Sequence, residues 1–600
     1  MSENPPSGAP ALARGGAVLI RVALLVGVCV LAYQGSFHVP FFSDDIRAIP
    51  MNGNIRTLWP LTESMVAPKD TTLAGRPAVT FSFALNYRIS EYDVESYHVV
   101  NLLLHIAVAL LVAALVDRAL RSDAFGGRFQ RRTASMLGTG VGLVWALHPL
   151  NTEAVVYTVQ RTELMFALFL LLTLWASTRV FESVDGGSRP AKVTWIVLAV
   201  LFCALGMASK EVMVVAPVLI LLYDRTLVSG SFGRALRRHG VLYAGLAATW
   251  FLLGFIVASQ PRSLSAGFGL SVTPIEYLYT QAQVVVWYLR LAFLPFPLSV
   301  THPWPVVRQI WTSLPHGLLL ISLLGATVWA LWRNRAIGLL GAWFFLILAP
   351  SSSIVPIPTE IAAERRMYMP LAAIVVLVVV GGYRLLSRWD GRRAAAGSTL
   401  AVVVLAGALG LATHQRVQAY ETTETLWRSA LEIYPDDANA LTNLAIELRA
   451  AGDDREAEAL LRRSLEIAPE NAPTLSNLGG ILLDRGSAAE AIPIFERALS
   501  IDATEARLHS NYGAALGAVG REKEAADALQ RAIEIDPYLA DAYVNIGVLL
   551  AGSGALEHAA GFMQKALELE PEHETAREYL RQLIRAIREN PLPEGAPGQP

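Results

Sequence analysis

ANALTNLAIELRAAGDDREAEALLRRSLEIAPEN, residues 438–471, is one turn of a pattern that the chain repeats every 34 residues. Pro435, Pro469, Pro537 and Pro571 fall on that step, with Ala503 in the remaining slot. Asn443, Asn477, Asn511 and Asn545 keep it, as do Gly452, Gly486, Gly520 and Gly554, and Ala457, Ala491, Ala525 and Ala559. Small residues where paired helices touch, with a proline ending the second helix, predict stacked helix-turn-helix units, each burying its apolar face against the next.

That period and placement is the tetratricopeptide signature. Four full repeats are expected over 438–571, preceded by a partial unit with Trp427 and Ala430 and closed by a capping helix near 572–589. The repeat domain is drawn as 415–589, with a disordered tail, NPLPEGAPGQP, at 590–600. The recurring asparagines, one residue before Leu444, Leu478, Tyr512 and Ile546, which are expected to be buried, would line one face of the superhelix. There their amides either clamp the backbone of an extended peptide or bridge neighbouring helices. Their arrangement resembles the asparagine ladder of the O-linked N-acetylglucosamine transferase repeats.

The rest of the chain is of another kind. Of 600 residues 53% are apolar and only 17% charged, too hydrophobic for one soluble domain and long enough for two or three domains. Residues 421–600 hold 31 Asp/Glu against 16 Lys/Arg, leaving 20 acids and 33 bases for residues 1–420. An acidic tail repels phosphate and argues against a nucleic-acid partner, whereas a basic membrane part suits anionic lipids or a lipid phosphate. Cys29 and Cys203 both lie in apolar runs and form no disulfide framework or CxxC site.

Residues 1–14 are rich in proline and small residues and are expected to be disordered; 15–414 read as a polytopic membrane domain. Apolar spans are expected near 16–34, which reads as a retained helix, and near 97–116, 134–150, 163–180, 193–208, 211–223, 240–258, 315–332, 336–350, 369–386 and 396–413. Arginine-rich loops at 117–133, 179–192, 225–239, 333–335 and 384–393 belong on the cytoplasmic side. That leaves outside the loop 35–96, together with 148–155, 209–211 and 350–368. The alternation closes if residues 282–299, with Pro295 and Pro297, form a hairpin that makes no net crossing, giving about eleven transmembrane helices. The fold expected is therefore all-α, a helical membrane domain followed by an α-solenoid. In the outside loop stand Asp44 and Asp45, in FHVPFFSDDIRAIP (37–50); negative charge beside hydrocarbon is costly unless it sits in a wet cavity or has a cationic or metal partner.

SDDIRAI (43–49), AGRPAVTFSFALNYRIS (74–90), YHVVNLLLH (97–105), HPLNTEAVVYTVQRTEL (148–164), SKEVMVVAPVLILLYD (209–224), YLRLAFLPFPLSV (288–300) and AAERRMYMP (362–370) come in this order before the repeats. With them, nearly everything from 37 to 589 resembles the transmembrane and tetratricopeptide-repeat O-mannosyltransferases and their bacterial relatives, within the GT-C glycosyltransferase superfamily. The resemblance implies a GT-C-like membrane domain that transfers a sugar, usually mannose, from a polyprenyl-phosphate donor to a protein hydroxyl on the non-cytoplasmic side. For a bacterial relative that means the cytoplasmic membrane, with the repeats periplasmic or extracellular and recruiting the acceptor.

Such an inverting displacement needs a carboxylate to take the hydroxyl proton, worth about 10²–10⁴ in rate. Asp44 and Asp45 are the candidates, with Asp45 preferred. Cations are needed for the leaving lipid phosphate, and Arg365, Arg366, Lys210 and Arg76 qualify. His148, Glu153, Arg161, Glu163, Glu211 and Glu364 are expected to shape the cavity, and Asn443, Asn477, Asn511 and Asn545 to hold the acceptor. Lys210 could instead merely pair with Glu211, and Arg365 with Glu364 or a lipid headgroup. The two aspartates could also hold a divalent cation. The alternative function is a non-enzymatic envelope scaffold whose repeats dock partner proteins.

Overall fold

The computed structural model describes residues 11–68, 71–182, 189–259, 272–333, 335–353, 355–388 and 391–589. Regular elements among them are all helical, and they divide into two compact units, Met1–Leu426 and Trp427–Pro600.

In the first unit each expected span falls on a helix. Eight are long and apolar enough to cross a membrane: Val18–His38, Val94–Leu120, Thr158–Glu182, Pro190–Met207, Glu211–Ser229, Phe232–Ser259, Ile310–Trp332 and Arg393–Gln418. The other three are Arg131–Ala146, Ala336–Leu348 and Pro370–Leu386, of 16, 13 and 17 residues. At about 1.5 Å per residue these fall short of a bilayer core of about 30 Å, so the expected count of about eleven exceeds the eight that qualify by length. The unit is a membrane protein by these helices, held by close packing where lipid supplies no hydrophobic contrast. Gly138 and Gly142 show how: a Cβ at Gly138 would lie 2.5 Å from the Ala113 carbonyl oxygen, so only glycine lets Arg131–Ala146 meet Val94–Leu120 backbone to backbone.

Residues 274–307 turn back on themselves. A capping box, Thr273 with Glu276, starts the helix Pro274–Phe293, which ends before Pro295. The chain then returns alongside, so that the Val307 amide donates to the Thr280 hydroxyl (2.9 Å) and the Gln283 amide to the Thr312 carbonyl (3.2 Å). The chain thus turns back within the stretch 282–299 where a hairpin was expected, and the next helix starts beside the one just left.

Loops that arginine content assigns to one side meet at one end of the unit, where Arg118 pairs with Glu182, Arg225 donates to the Leu331 carbonyl and Phe129 packs on Tyr383. The acidic outside segments gather elsewhere, as described below. The boundaries differ slightly from expectation. Helix Ala11–Tyr33 begins inside the stretch expected to be disordered; residues 1–10 and 590–600 lie outside the described residues. The helix Gly391–Gln418 runs past 414, because Val417, Tyr420 and Leu426 are buried in the membrane unit's core and hold the chain there.

The second unit holds the repeats: Ala438–Ala450 with Asp454–Ile467, Ala472–Asp484 with Ala488–Ile501, Ala506–Ala518 with Glu522–Ile535, Ala540–Gly552 with Leu556–Leu569, and the cap Glu574–Glu589. Ala457, Ala491, Ala525 and Ala559 are fully buried at the helix crossings. Gly452, Gly486, Gly520 and Gly554 carry φ between +80° and +88° at the turns, a conformation costing other residues about 1–2 kcal/mol each. Leu444 and Leu478 are buried as expected, whereas Tyr512 and Ile546 are half-buried.

Candidate functional site

Asp44 and Asp45 open a short helix, Asp44–Ala48, and their carboxylates go to different neighbours. Asp45 is completely buried. Its Oδ1 accepts the Val159 amide at 2.7 Å and its Oδ2 the Phe42 amide at 3.5 Å, tying the loop to the turn after the 149–156 segment. Burial pushes its carboxyl well above the ordinary carboxylate range against those amide bonds. Asp44 is half-buried. The Tyr157 hydroxyl bonds its carboxylate and accepts its backbone amide (2.9 Å), while Tyr157 itself stacks on Phe42 at 4.4 Å. Burial raises the Asp44 carboxyl, Glu360 adds to that, and Arg365 and Arg47 oppose it. The accessible acid is therefore Asp44, and the expected preference for Asp45 does not fit a carboxylate spent on backbone amides. Among the described residues no group of three His, Cys, Asp or Glu is placed to hold a metal ion.

The cations meet carboxylates. Arg365 forks between Glu153 and Glu360, and the Glu153 carboxylate also accepts the Arg365 amide at 2.9 Å. Burial opposes the charge on Arg365, and its two carboxylates overcome that and hold the guanidinium above its ordinary value. Lys210 pairs with Glu163, and Arg76 with Glu211 at 3.3 Å. The alternative pairings read from sequence, Lys210 with Glu211 and Arg365 with Glu364, are thus replaced by Glu163 for Lys210 and by the distant Glu153 and the nearby Glu360 for Arg365. Lys210 nevertheless feels Glu211 and Arg76, and Glu360 feels Lys210, so the pairs form one electrostatic cluster with Asp44.

Other expected residues shape this cluster from behind. Arg366 donates to the Ile361 carbonyl (3.0 Å) and to that of Glu360, bracing the loop that carries Arg365. It is 8% exposed and its guanidinium is used on backbone, so it does not fit a phosphate-binding role. Glu364 is buried and accepts the Ser299 amide (2.7 Å) and His302 (3.1 Å), anchoring the returning arm of the hairpin. Arg161 is fully buried beneath Asn101, Asn86 and the Tyr97 carbonyl at 2.8–3.1 Å, with Phe83 across its guanidinium. His148 bridges the Leu150 amide and the Ala292 carbonyl, both at 3.3 Å. In the repeat unit, Asn443 and Asn477 donate to carbonyls one turn back in their own helices, at 2.8 Å each, which leaves their amide oxygens for another partner. Asn545 donates to the Ser510 hydroxyl (2.9 Å), a bridge between repeats. All four are half-buried.

Tyr157, Glu360 and Arg416 complete the cluster and were not singled out from sequence. Tyr157 stands in the quoted 148–164 stretch and Glu360 five residues before Arg365, so proximity to the motifs was the available signal; Arg416, a lone arginine ending a span, gave none.

Family models described as tetratricopeptide repeat match residues 438–468, 471–537 and 540–573. Across both units, protein O-mannosyl-transferase TMTC4 of Mus musculus is 26% identical over 493 residues, 72% of this chain and 65% of that protein. TMTC1 of Homo sapiens is 25% identical, covering 72% and 54%, and Tmtc3 of Drosophila melanogaster 25%, covering 73% and 54%. The chain is a relative of these O-mannosyl-transferases. The match spans less than two thirds of each of the three relatives' length. The solved structure of YrrB, a TPR protein with an unusual peptide-binding site, covers 28% of this chain and 83% of its own, at 24% identity and a TM-score of 0.23.

Proposed function

We propose that the protein is an inverting glycosyltransferase of the GT-C type. It moves a hexose, mannose by the relatives' name, from a polyprenyl phosphate to a hydroxyl of a polypeptide held by the repeats. In this reading it sits in the bacterial cytoplasmic membrane with the cluster and the repeats on the outer side. One observation supports it most. Asp44, a half-buried acid raised by that burial, lies in a cluster with Arg365, Lys210 and Arg76, cations brought from three other parts of the chain. In the reaction the acceptor oxygen attacks the anomeric carbon as its bond to the phosphate oxygen breaks. Asp44 takes the hydroxyl proton and the lipid phosphate leaves with the bonding pair. Arg365, Lys210 and Arg76 reach that charge by exchanging carboxylate partners for phosphate oxygens. Charge-assisted bonds to anions are stronger than neutral ones, which favours the exchange in a water-poor site.

Single-turnover transfer from a polyprenyl-phosphate hexose to a peptide mixture tests the reading. Asp44→Asn should slow transfer by about two to four orders of magnitude with donor binding kept, because the loss belongs to the transition state. Asp45→Asn should instead lower thermal stability by about 1–3 kcal/mol, the cost of weakening buried amide partners, with a milder loss of rate. Full transfer by the Asp44 variant would remove this acid from the chemistry, and wild-type protein that moves no sugar would favour the scaffold.

A further inference from the structure

Arg416, in the last turn of Gly391–Gln418, differs from every cation discussed above. Arg76, Lys210 and Arg365 have carboxylate partners, and Arg366 is used on backbone carbonyls. Among the described residues Arg416 forms no ion pair. Its guanidinium lies over the Tyr420 ring, 5.1 Å from the centroid, and touches the Tyr420 hydroxyl only at 3.5 Å; its Nε is buried without a hydrogen-bond partner. Glu364 and Glu153 lie within electrostatic reach but neither closes on it, and Glu364 Oε2 is likewise buried without a partner. A half-buried, fork-shaped cation with donors to spare is matched to a planar or tetrahedral oxyanion.

The position fits the reaction. Tyr420 packs 6.0 Å from Phe42, which stacks on Tyr157, the residue that holds Asp44. Arg416 is thus connected to the proton acceptor through three aromatic rings while carrying none of its charge neutralisation. Inversion requires the incoming hydroxyl with its base and the departing phosphate to occupy opposite sides of the anomeric carbon, which suits a phosphate cation other than Arg365 and Arg47, the two whose charge acts on the base.

We propose that Arg416 takes the phosphate of the lipid-linked donor, its Nε and one terminal nitrogen gripping two oxygens. The proposal rests on the glycosyltransferase reading above. It assigns the first phosphate contact to a cation that gives up no carboxylate and, unlike Arg161 and Arg366, is not used up on carbonyls and amides, with the paired cations following as charge develops.

The test uses the full chain in phosphatidylcholine nanodiscs, titrated with undecaprenyl phosphate and with undecaprenol and followed by tryptophan fluorescence. Wild-type protein should prefer the phosphate by at least about tenfold. Arg416→Gln should lose that preference, and Arg416→Lys, which keeps the charge without the fork, should retain part of it. Arg308→Gln, whose side chain is 81% exposed, should behave as wild type. If Arg416→Gln and Arg416→Lys both keep the full preference, the assignment is overturned while the function stands. A wild type that does not distinguish phosphate from alcohol overturns both. Displacement of the undecaprenyl phosphate by phosphatidylglycerol would make this a general phospholipid headgroup site and also overturn the assignment.

Discussion

Burial and Glu360 raise the Asp44 carboxyl, and Arg365, Arg47 and the Tyr157 hydroxyl, donating to the ionised form, oppose them. A proton acceptor works only when deprotonated, so transfer should fall as pH drops through this raised value and not through the ordinary carboxylate range. Tyr157→Phe removes the opposing bond, so the acid limb of the rate profile should shift to higher pH while the rate at high pH stays within a few fold. An unchanged limb would mean that Asp44 is not the titrating group. The relation between Asp44 and Asp45 shows where residue-level reading stops. Both are acids in one short motif, and nothing beside them says that the Val159 amide, 114 positions on, claims one of them. Arg416 was hidden for the opposite reason: an arginine at the end of a span is ordinary, and its lack of a carboxylate partner exists only in three dimensions.

At the scale of elements, regular sequence gave reliable structure. The 34-residue step carried the helix pairs, their buried alanines and the left-handed glycines together, because each repeat solves the same packing problem. The turn expected within 282–299 was also legible, from Pro295 and Pro297. Helix length was less so: Arg131–Ala146 and Ala336–Leu348 end before the expected 150 and 350, although hydropathy runs on. In the repeats, Asn477 is braced by its own helix with an oxygen left over, and Asn511 sits one step further along the same face. Changing both to Ala should weaken binding of an acceptor peptide by about tenfold, roughly the worth of one or two lost amide bonds. Affinity for undecaprenyl phosphate should not move. Unaltered peptide binding by a folded double variant would return the asparagines to bridging between repeats, the role Asn545 already shows.

For the whole molecule, the sorting of arginine-rich from acidic loops in the sequence reappears as two separate groupings in space, and that separation implies an orientation. A reporter fused after Leu426 should be active when it requires the periplasm and silent when it requires the cytoplasm. The reverse result would put the cluster on the wrong side for a donor presented outside. The helix Ile310–Trp332 adds a further constraint. It is almost wholly uncovered by the protein, with Trp311 and Trp332 exposed at its two ends. Indole rings settle at the headgroup level, and the 20 residues between these two set them roughly 30 Å apart at the usual helical rise. The protein therefore carries its own gauge of bilayer thickness. In lipids with much shorter chains this helix has to tilt, and because it starts against the hairpin whose returning arm Glu364 holds, the tilt is delivered to that arm.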